Sequence, residues 1–228
     1  MRKDIPAVLY EDNHIIIVNK RSSDLVQGDG TGDEPLDDIV RAYIREKYNK
    51  PGDVFLGVVH RLDRPVSGCV VYARTSKALS RLSELFRTRE VRKTYWAIVS
   101  ERPPAEEGTL SSYLKKNESQ NKSYVYNTEV KGSKLAELSY RVLARSERYY
   151  LVEVDLQTGR HHQIRAQLAA AGCPIKGDLK YGSKRSNEGG GISLHSRRVS
   201  FVHPVKKEEI TVEAPLPDDR IWKLFSDL

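Results

Sequence analysis

His60-Arg61-Leu62-Asp63-Arg64-Pro65-Val66-Ser67-Gly68 sets one carboxylate among two arginines and a histidine, between two apolar runs. Val58-Val59 precedes it and Cys69-Val70-Val71-Tyr72-Ala73 follows, so the polar cluster reads as a loop held between strands. Pro65 and Gly68 break regular structure there. Opposite charge close in sequence biases a carboxylate toward its ionised form. An ionised Asp63 on a loop carried by a rigid sheet is a candidate nucleophile. On these residues alone, an ordinary ion pair closing a turn explains the segment equally well.

Working outward, the strands around Asp63 belong to a longer series. Val8-Leu9-Tyr10 and Ile15-Ile16-Ile17-Val18 flank Glu11-Asp12-Asn13-His14 and predict a hairpin. A Gly/Asp loop over 28–32 leads into a helix over 36–48, with Leu36, Ile39, Val40, Tyr43 and Ile44 on one face. Ser76 reads as the N-cap of a second helix through Phe86. Residues 91–99 alternate as a strand, and 115–123 is polar and basic and reads as a loop. Residues 149–156 alternate again, and Thr158-Gly159 leads into a helix over about 160–171, stopped by Gly172 and Pro174. Ile210 to Val212 is a late strand, and Trp222, Leu224 and Phe225 suggest a short terminal helix. Strands of antiparallel type with few helices make an α+β protein. No stretch has the composition of a linker, so a single domain over residues 1–228 is expected.

The bulk composition narrows the partners. The chain has 228 residues, with 38 basic against 31 acidic side chains, a net charge of +7. Such an excess suits a polyanion, because neutralising phosphates supplies much of the affinity for nucleic acid. The basic residues cluster: Arg87, Arg89, Arg92 and Lys93; Lys115, Lys116 and Lys122; and Lys180, Lys184, Arg185, Arg197 and Arg198. No run approaches the roughly 20 apolar residues that span a bilayer. Met1-Arg2-Lys3-Asp4-Ile5-Pro6 lacks the apolar core of a secretory signal. Cys69 and Cys173 have no neighbours at metal-ligand spacing and read as two reduced thiols of a cytoplasmic protein. His161-His162 invites a metal reading, which is the weaker one because adjacent helical histidines point apart and no third ligand is evident at a useful spacing.

Several stretches resemble one family in the same order along the chain. His60 to Gly68 resembles the HRLDRxxSG signature of the RluA-type pseudouridine synthases, in which the Asp is catalytic. Lys93-Thr94-Tyr95-Trp96-Ala97 resembles the family's KxYxA stretch, and Thr158-Gly159-Arg160-His161-His162-Gln163-Ile164-Arg165 its TGRxHQIR stretch. Gly177-Asp178-Leu179-Lys180-Tyr181-Gly182 resembles its GDxxYG turn, and Leu194-His195 and Phe201-Val202-His203-Pro204 its closing elements. Two positions depart from the pattern: Arg21 follows Lys20 where proline is usual, and Ser196 stands where alanine is usual.

The resemblance implies a mixed, mostly antiparallel sheet curved around a central cleft, with flanking helices and loops. It implies site-specific conversion of uridine to pseudouridine in structured RNA, ribosomal or transfer, without cofactor or metal. Asp63 would be the nucleophile, at the ribose or at the base. Tyr95, which on its residues alone is core, would lie against the target base and assist proton removal. Arg165 would pair with Asp63, as a fixed guanidinium suits a carboxylate in one orientation. Substrate binding would fall to His60, Arg61, Arg64, Ile164 and Lys180, with Arg61 filling the space left by the extruded nucleotide, Ile164 under the base and Lys180 near phosphates. The matching catalytic region begins by Leu9-Tyr10-Glu11-Asp12, so the N-terminal RNA-binding domain of many members is not expected. A monomer is expected. The competing reading is an inactive RNA-binding protein of the same fold, against which intact Asp63, Tyr95 and Arg165 argue. A glycosidase normally needs two facing carboxylates, and the matched motifs offer one.

Overall fold

A computed structural model of the chain describes residues 5–225 except 29 and 31. The opening residues 1–4 and two positions of the Gly/Asp loop, Asp29 and Thr31, lie outside the described residues. In chain order the elements are β1 (Val8–Glu11), β2 (Ile15–Lys20), α1 (Leu36–Lys47), β3 (Gly57–Val58), β4 (Ser67–Ala73), α2 (Ser76–Arg87), β5 (Arg92–Val99) and β6 (Glu107–Asn117). They continue with β7 (Lys122–Tyr126), β8 (Lys134–Arg145), β9 (Tyr150–Leu156), α3 (Gln163–Ala170), β10 (Leu194–Val202) and β11 (Glu209–Glu213). Single 3-10 turns cover Leu179–Tyr181 and Trp222–Phe225. The fold is α+β and mostly antiparallel. The chain divides into two compact units after Arg92, after His195 and after Pro215.

The first unit holds the N-terminal part with Ser196–Pro215. Its strands run β1-β2-β4-β10, with β3 on β4 and β11 on β10. The hairpin of β1 and β2 forms as its apolar runs predict. β4 pairs β2 antiparallel along its length, from Ile15↔Ala73 to Lys20↔Gly68. Continuous apolar runs need cover on both faces, unlike the alternating strands of a half-exposed sheet. Ile15 and Ile17 accordingly share a core with Cys69, Val71, Ala73 and the α2 residues Ala78 and Leu82, joined by Val199, Phe201 and Val212. α1 buries Leu36, Ile39, Val40 and Ile44, as its periodicity requires. The cap of α2 differs from expectation. Thr75 takes that place, in extended backbone, and its hydroxyl accepts the Ala78 amide at 3.1 Å. A cap oxygen serves the amide two or three residues on from an extended N-cap position, and Ser76 is already in the first turn.

The second unit holds Lys93–His195 with the segment from Leu216. Its strands run β5-β9-β8-β6-β7, each pair antiparallel. Trp96, Ile98 and Leu151 form one core with Trp222 and Phe225 of the final 3-10 turn. Leu114, Ala136, Ala166 and Tyr181 form another. Residues 115–123 are not a loop: β6 and β7 pair through them from Lys116↔Ser123 to Asn117↔Lys122, and only 118–121 turn. Their polarity hid the strands because one face points outward and the inner face is short.

α3 begins at Gln163, later than the spacing suggests, because His162 sits in the left-handed region at φ 53° and cannot belong to the helix. The two histidines therefore do not splay as helical neighbours would. Their rings stack with centroids 3.8 Å apart. The helix ends in a Schellman arrangement, Cys173 N–H to the Leu168 carbonyl and Gly172 N–H to that of Ala169, both at 3.0 Å. Gly172 supplies the required positive φ of 84°.

Two features of the first unit fix the loop that carries Asp63. Lys20 is fully buried, and its ammonium donates to the carbonyls of Arg21 at 3.0 Å, Arg64 at 3.0 Å and Val66 at 2.6 Å. Gly68 sits at φ 112°, and a Cβ there would lie 2.3 Å from the Ser196 carbonyl oxygen and 2.6 Å from its nitrogen. Both neighbours are backbone and cannot swing aside. Gly68→Ala should lower Tm by about 5–15 °C through this clash and the unfavourable φ; a Tm within about 2 °C of the parent would show that β4 and β10 separate without cost.

Burial pushes Lys20 down to about 7, with Asp24 and Asp63 favouring the charge and Arg64 opposing it. The unfolded chain, with an ordinary lysine, holds a proton that the folded chain sheds between about pH 7 and 10. The Lys20 contribution to stability therefore rises with pH across that window and is smallest below it. Lys20→Met removes the donor around which the carbonyls of Arg21, Arg64 and Val66 converge and should cost roughly 2–4 kcal/mol at pH 9. Urea titrations should find the gap between the two proteins widening from pH 7 to 9.5; a gap independent of pH would mean that Lys20 keeps its proton throughout.

Candidate active site

The loop between β3 and β4 alternates in exposure: Arg61 outward, Leu62 buried at 8%, Asp63 half-buried, Arg64 outward. Leu62 anchors it apolarly while the Asp63 carbonyl closes a turn by accepting the Val66 amide at 3.0 Å. Its first residue is tied down twice. His60 Nε2 accepts the Val71 amide of β4 at 2.9 Å, and its ring stacks on Phe86 of α2 at 4.6 Å. Ser22 donates to the Pro65 carbonyl at 3.1 Å, and the Ser23 amide to that of Arg64 at 2.9 Å. The Arg64 guanidinium turns to Asp33, 2.6 Å away, with both groups about half exposed. The cation buried beneath this loop is Lys20, which the sequence marks only by its missing proline neighbour.

The second unit carries Tyr95, Ile164, Arg165 and Lys180. Tyr95 lies in β5 opposite Val154, 6% exposed. Ile164 and Arg165 occupy the first turn of α3, both at most 5% exposed. Arg165 donates through Nε at 2.7 Å and Nη2 at 3.0 Å to the two oxygens of Asp178, itself 1% exposed. This is the bidentate fork that fixes a guanidinium in one plane. The Arg165 guanidinium also lies 5.1 Å from the centre of the Tyr181 ring. Lys180 is exposed, and its ammonium donates to the carbonyls of Gln120 and Asn121, each at 3.1 Å.

A polar chain surrounds this pair. The Tyr181 hydroxyl accepts the Ser123 amide at 2.8 Å and bonds His162 Nδ1 at 3.0 Å. Ser123 Oγ meets His161 Nδ1 at 2.9 Å, and Asn121 meets His161 Nε2 at 3.1 Å. Burial, with Arg165 next in weight, pushes His162 down to about 2, so its imidazole is neutral and serves as a hydrogen-bonding wedge. Among the described residues no group of three or more His, Cys, Asp or Glu side chains converges as a metal site. The histidines of the closing motifs, His195 and His203, are fully buried. His203 Nδ1 accepts the Val205 and Lys206 amides at 3.1 and 2.8 Å, and His195 stands edge-on to Trp222.

The sequence reading missed Lys20 and Asp178. Lys20 ends an apolar strand, where a charged side chain ordinarily points to solvent. Asp178 was readable as a buried carboxylate only through its Gly-Asp turn, 13 residues after Arg165. Asp63 and its loop belong to the first unit, and Tyr95, Ile164, Arg165 and Lys180 to the second.

Comparison with known proteins gives these positions a context. The family model described as RNA pseudouridylate synthase matches residues 14–170, a span holding Asp63, Tyr95 and Arg165. An uncharacterized RNA pseudouridine synthase of Bacillus subtilis, YhcT, is 34% identical over 222 residues, covering 93% of this chain and 69% of its own. Ribosomal large subunit pseudouridine synthase C of Buchnera aphidicola is 34% identical over 219 residues, covering 93% and 68%. The chain spans about two thirds of the length of such relatives. Human RNA pseudouridylate synthase domain containing 4 superposes with a TM-score of 0.81 over 96% of this chain and 92% of its own, at 23% identity, which speaks for the fold. No helix among the described residues is long and apolar enough to cross a membrane. The chain belongs to the RNA pseudouridine synthase family, whose reaction isomerises uridine to pseudouridine in RNA.

Proposed function

We propose that Asp63 is the nucleophile of a site-specific uridine isomerisation in structured RNA, ribosomal or transfer. The observation that carries this reading is the loop itself. A half-buried carboxylate stands on a turn fastened by Lys20, His60, Ser22 and Ser23, so its position does not depend on exposed ion pairs. Catalysis by positioning needs such fixed groups.

In the reaction the bond from C1′ to N1 breaks, the uracil turns, and C1′ joins C5, which loses a proton while N1 gains one. The formula of the nucleotide is unchanged, so no donor or oxidant enters. Asp63 adds either to C1′ as N1 leaves or to the base, and is released when the new bond has formed. The target must leave its stack to meet a half-buried carboxylate. Arg61 and Arg64, both exposed on the Asp63 loop, suit the space and the phosphates left behind. Tyr95 is read as the group against the base that assists loss of the C5 proton, and Ile164 as the apolar surface beneath it. Arg165 is read as the partner of Asp63. A guanidinium has several N–H donors, so its fork on Asp178 is compatible with a second carboxylate. His60, in the loop after β3, and Lys180, in the 3-10 turn over Leu179–Tyr181, are read as substrate-binding residues.

The whole chain is taken as one catalytic domain that acts as a cytoplasmic monomer. Buried, free Cys69 and Cys173 agree with a reducing compartment.

Asp63→Asn keeps the size of the side chain and removes its nucleophilicity. The variant should keep its Tm and its affinity for RNA, while tritium release from RNA labelled at uridine C5 falls by at least about 10³-fold. Tritium release near the parent rate from a folded variant would remove Asp63 from the chemistry.

A further inference from the structure

The hairpin of β6 and β7 has two unlike faces. Its register sets Tyr113 beside Tyr126, Lys115 beside Tyr124 and Asn117 beside Lys122 on one face. The other face carries Leu114, Ser123 and Val125, with the exposed Lys116 beside Ser123 near the turn. Leu114 is 4% and Ser123 3% exposed, and Val125 packs on the core of Ala136, Ala166 and Tyr181. The first face has no such cover. Tyr124 is 39% and Tyr126 37% exposed, and Leu135 of β8, opposite Tyr113, is 39% exposed.

An open hollow of about 500 Å³ lies against these rings, with Lys115, Asn117 and Ser119 in its lining. Glu118 also lines it and is paired with Lys116 at 2.6 Å. Lys122 stands 5.5 Å from the Tyr124 ring centre, and the Tyr124 hydroxyl donates to Gln120. The ring is thus presented in one orientation. From position 113 to 135 there are five lysines against two glutamates and no other charged residue. Rings bared on a sheet face amid excess positive charge suit a ligand that is flat, apolar and anionic at once. An unpaired RNA strand has that chemistry, whereas a duplex hides its base faces. Alternate residues of one strand are about 7 Å apart, enough for a base at van der Waals distance from the ring on either side.

We propose that this face is a stacking platform for an unpaired stretch of the substrate RNA, with Tyr124 and Tyr126 taking bases and Lys115 and Lys122 taking phosphates. The proposal rests on the reading of the protein as an enzyme of RNA and adds which part of that RNA the hairpin holds. It predicts a preference for single strands that lies in the rings, while the charge serves any RNA.

The test is a fluorescence-anisotropy titration of the full chain with a labelled oligouridylate of about 12 nucleotides and with an RNA duplex of similar length. Replacing both rings, Tyr124→Ala with Tyr126→Ala, should weaken oligouridylate binding about 10- to 100-fold and change duplex binding by less than about 2-fold. The pair Tyr124→Phe with Tyr126→Phe should bind as the parent does, since stacking needs the ring and not the hydroxyl. Unchanged oligouridylate binding by the alanine pair, or an equal loss on both RNAs, overturns the platform and leaves the face to another partner. Because the titration reads binding without turnover, its outcome is separate from that of the Asp63→Asn assay.

Discussion

One buried ammonium organises the region on which the chemistry is proposed to rest. Lys20 closes an apolar strand, yet its head lies inside, among the carbonyls of Arg21, Arg64 and Val66. Two of these belong to the turn that follows Asp63. Buried carbonyls left without donors are costly, so the turn keeps its shape only while the lysine reaches it. The ion pair of Arg64 with Asp33 lies nearby but is about half exposed on both sides, and such pairs contribute little. The shape of the loop therefore comes from backbone oxygens converging on one interior nitrogen, with His60 and Gly68 fixing its two ends.

Much of this architecture was legible in the residues, and the reasons differ from place to place. The hairpin of β1 and β2, the extent of α1 and the stop of α3 at Gly172 follow from periodicity and from one positive φ, both local properties. The Asp63 loop was legible as a loop because apolar runs bracket it. The hairpin over 115–123 was not, because its inner face offers two apolar residues, Leu114 and Val125, beside Ser123 and Lys116, too few to set a period against so many lysines. The late start of α3 was hidden for another reason. Nothing in Thr158-Gly159-Arg160-His161-His162 announces that His162 takes a left-handed backbone, which is held from outside by the bond of its ring to Tyr181.

Pairing across long sequence separations was the least legible layer. Cores can be guessed from composition, but which carboxylate meets a buried arginine depends on the turn that returns the chain. Asp178 reaches Arg165 because Gly177, at φ 89°, bends the segment back beside α3. Within its own unit Arg165 meets Asp178, a carboxylate supplied by the turn over residues 177–182. A turn can be architectural and electrostatic at once.

The two buried cations also show why a lysine and an arginine are not interchangeable here. Arg165 cannot shed its proton under ordinary conditions, so its burial requires a full counter-charge, and Asp178 supplies one in bidentate contact. Among the described residues the hydrogen bonds of Lys20 go to neutral carbonyls, and burial brings its pKa to about 7. Each solution suits its surroundings. At Arg165 a permanent charge stands at the start of a helix, beside a neutral His162 whose protonation it opposes. At Lys20 a single tetrahedral nitrogen meets three converging carbonyls. The first arrangement keeps a permanent positive charge in the second unit, and the second holds a loop in the first without adding a fixed charge beneath Asp63.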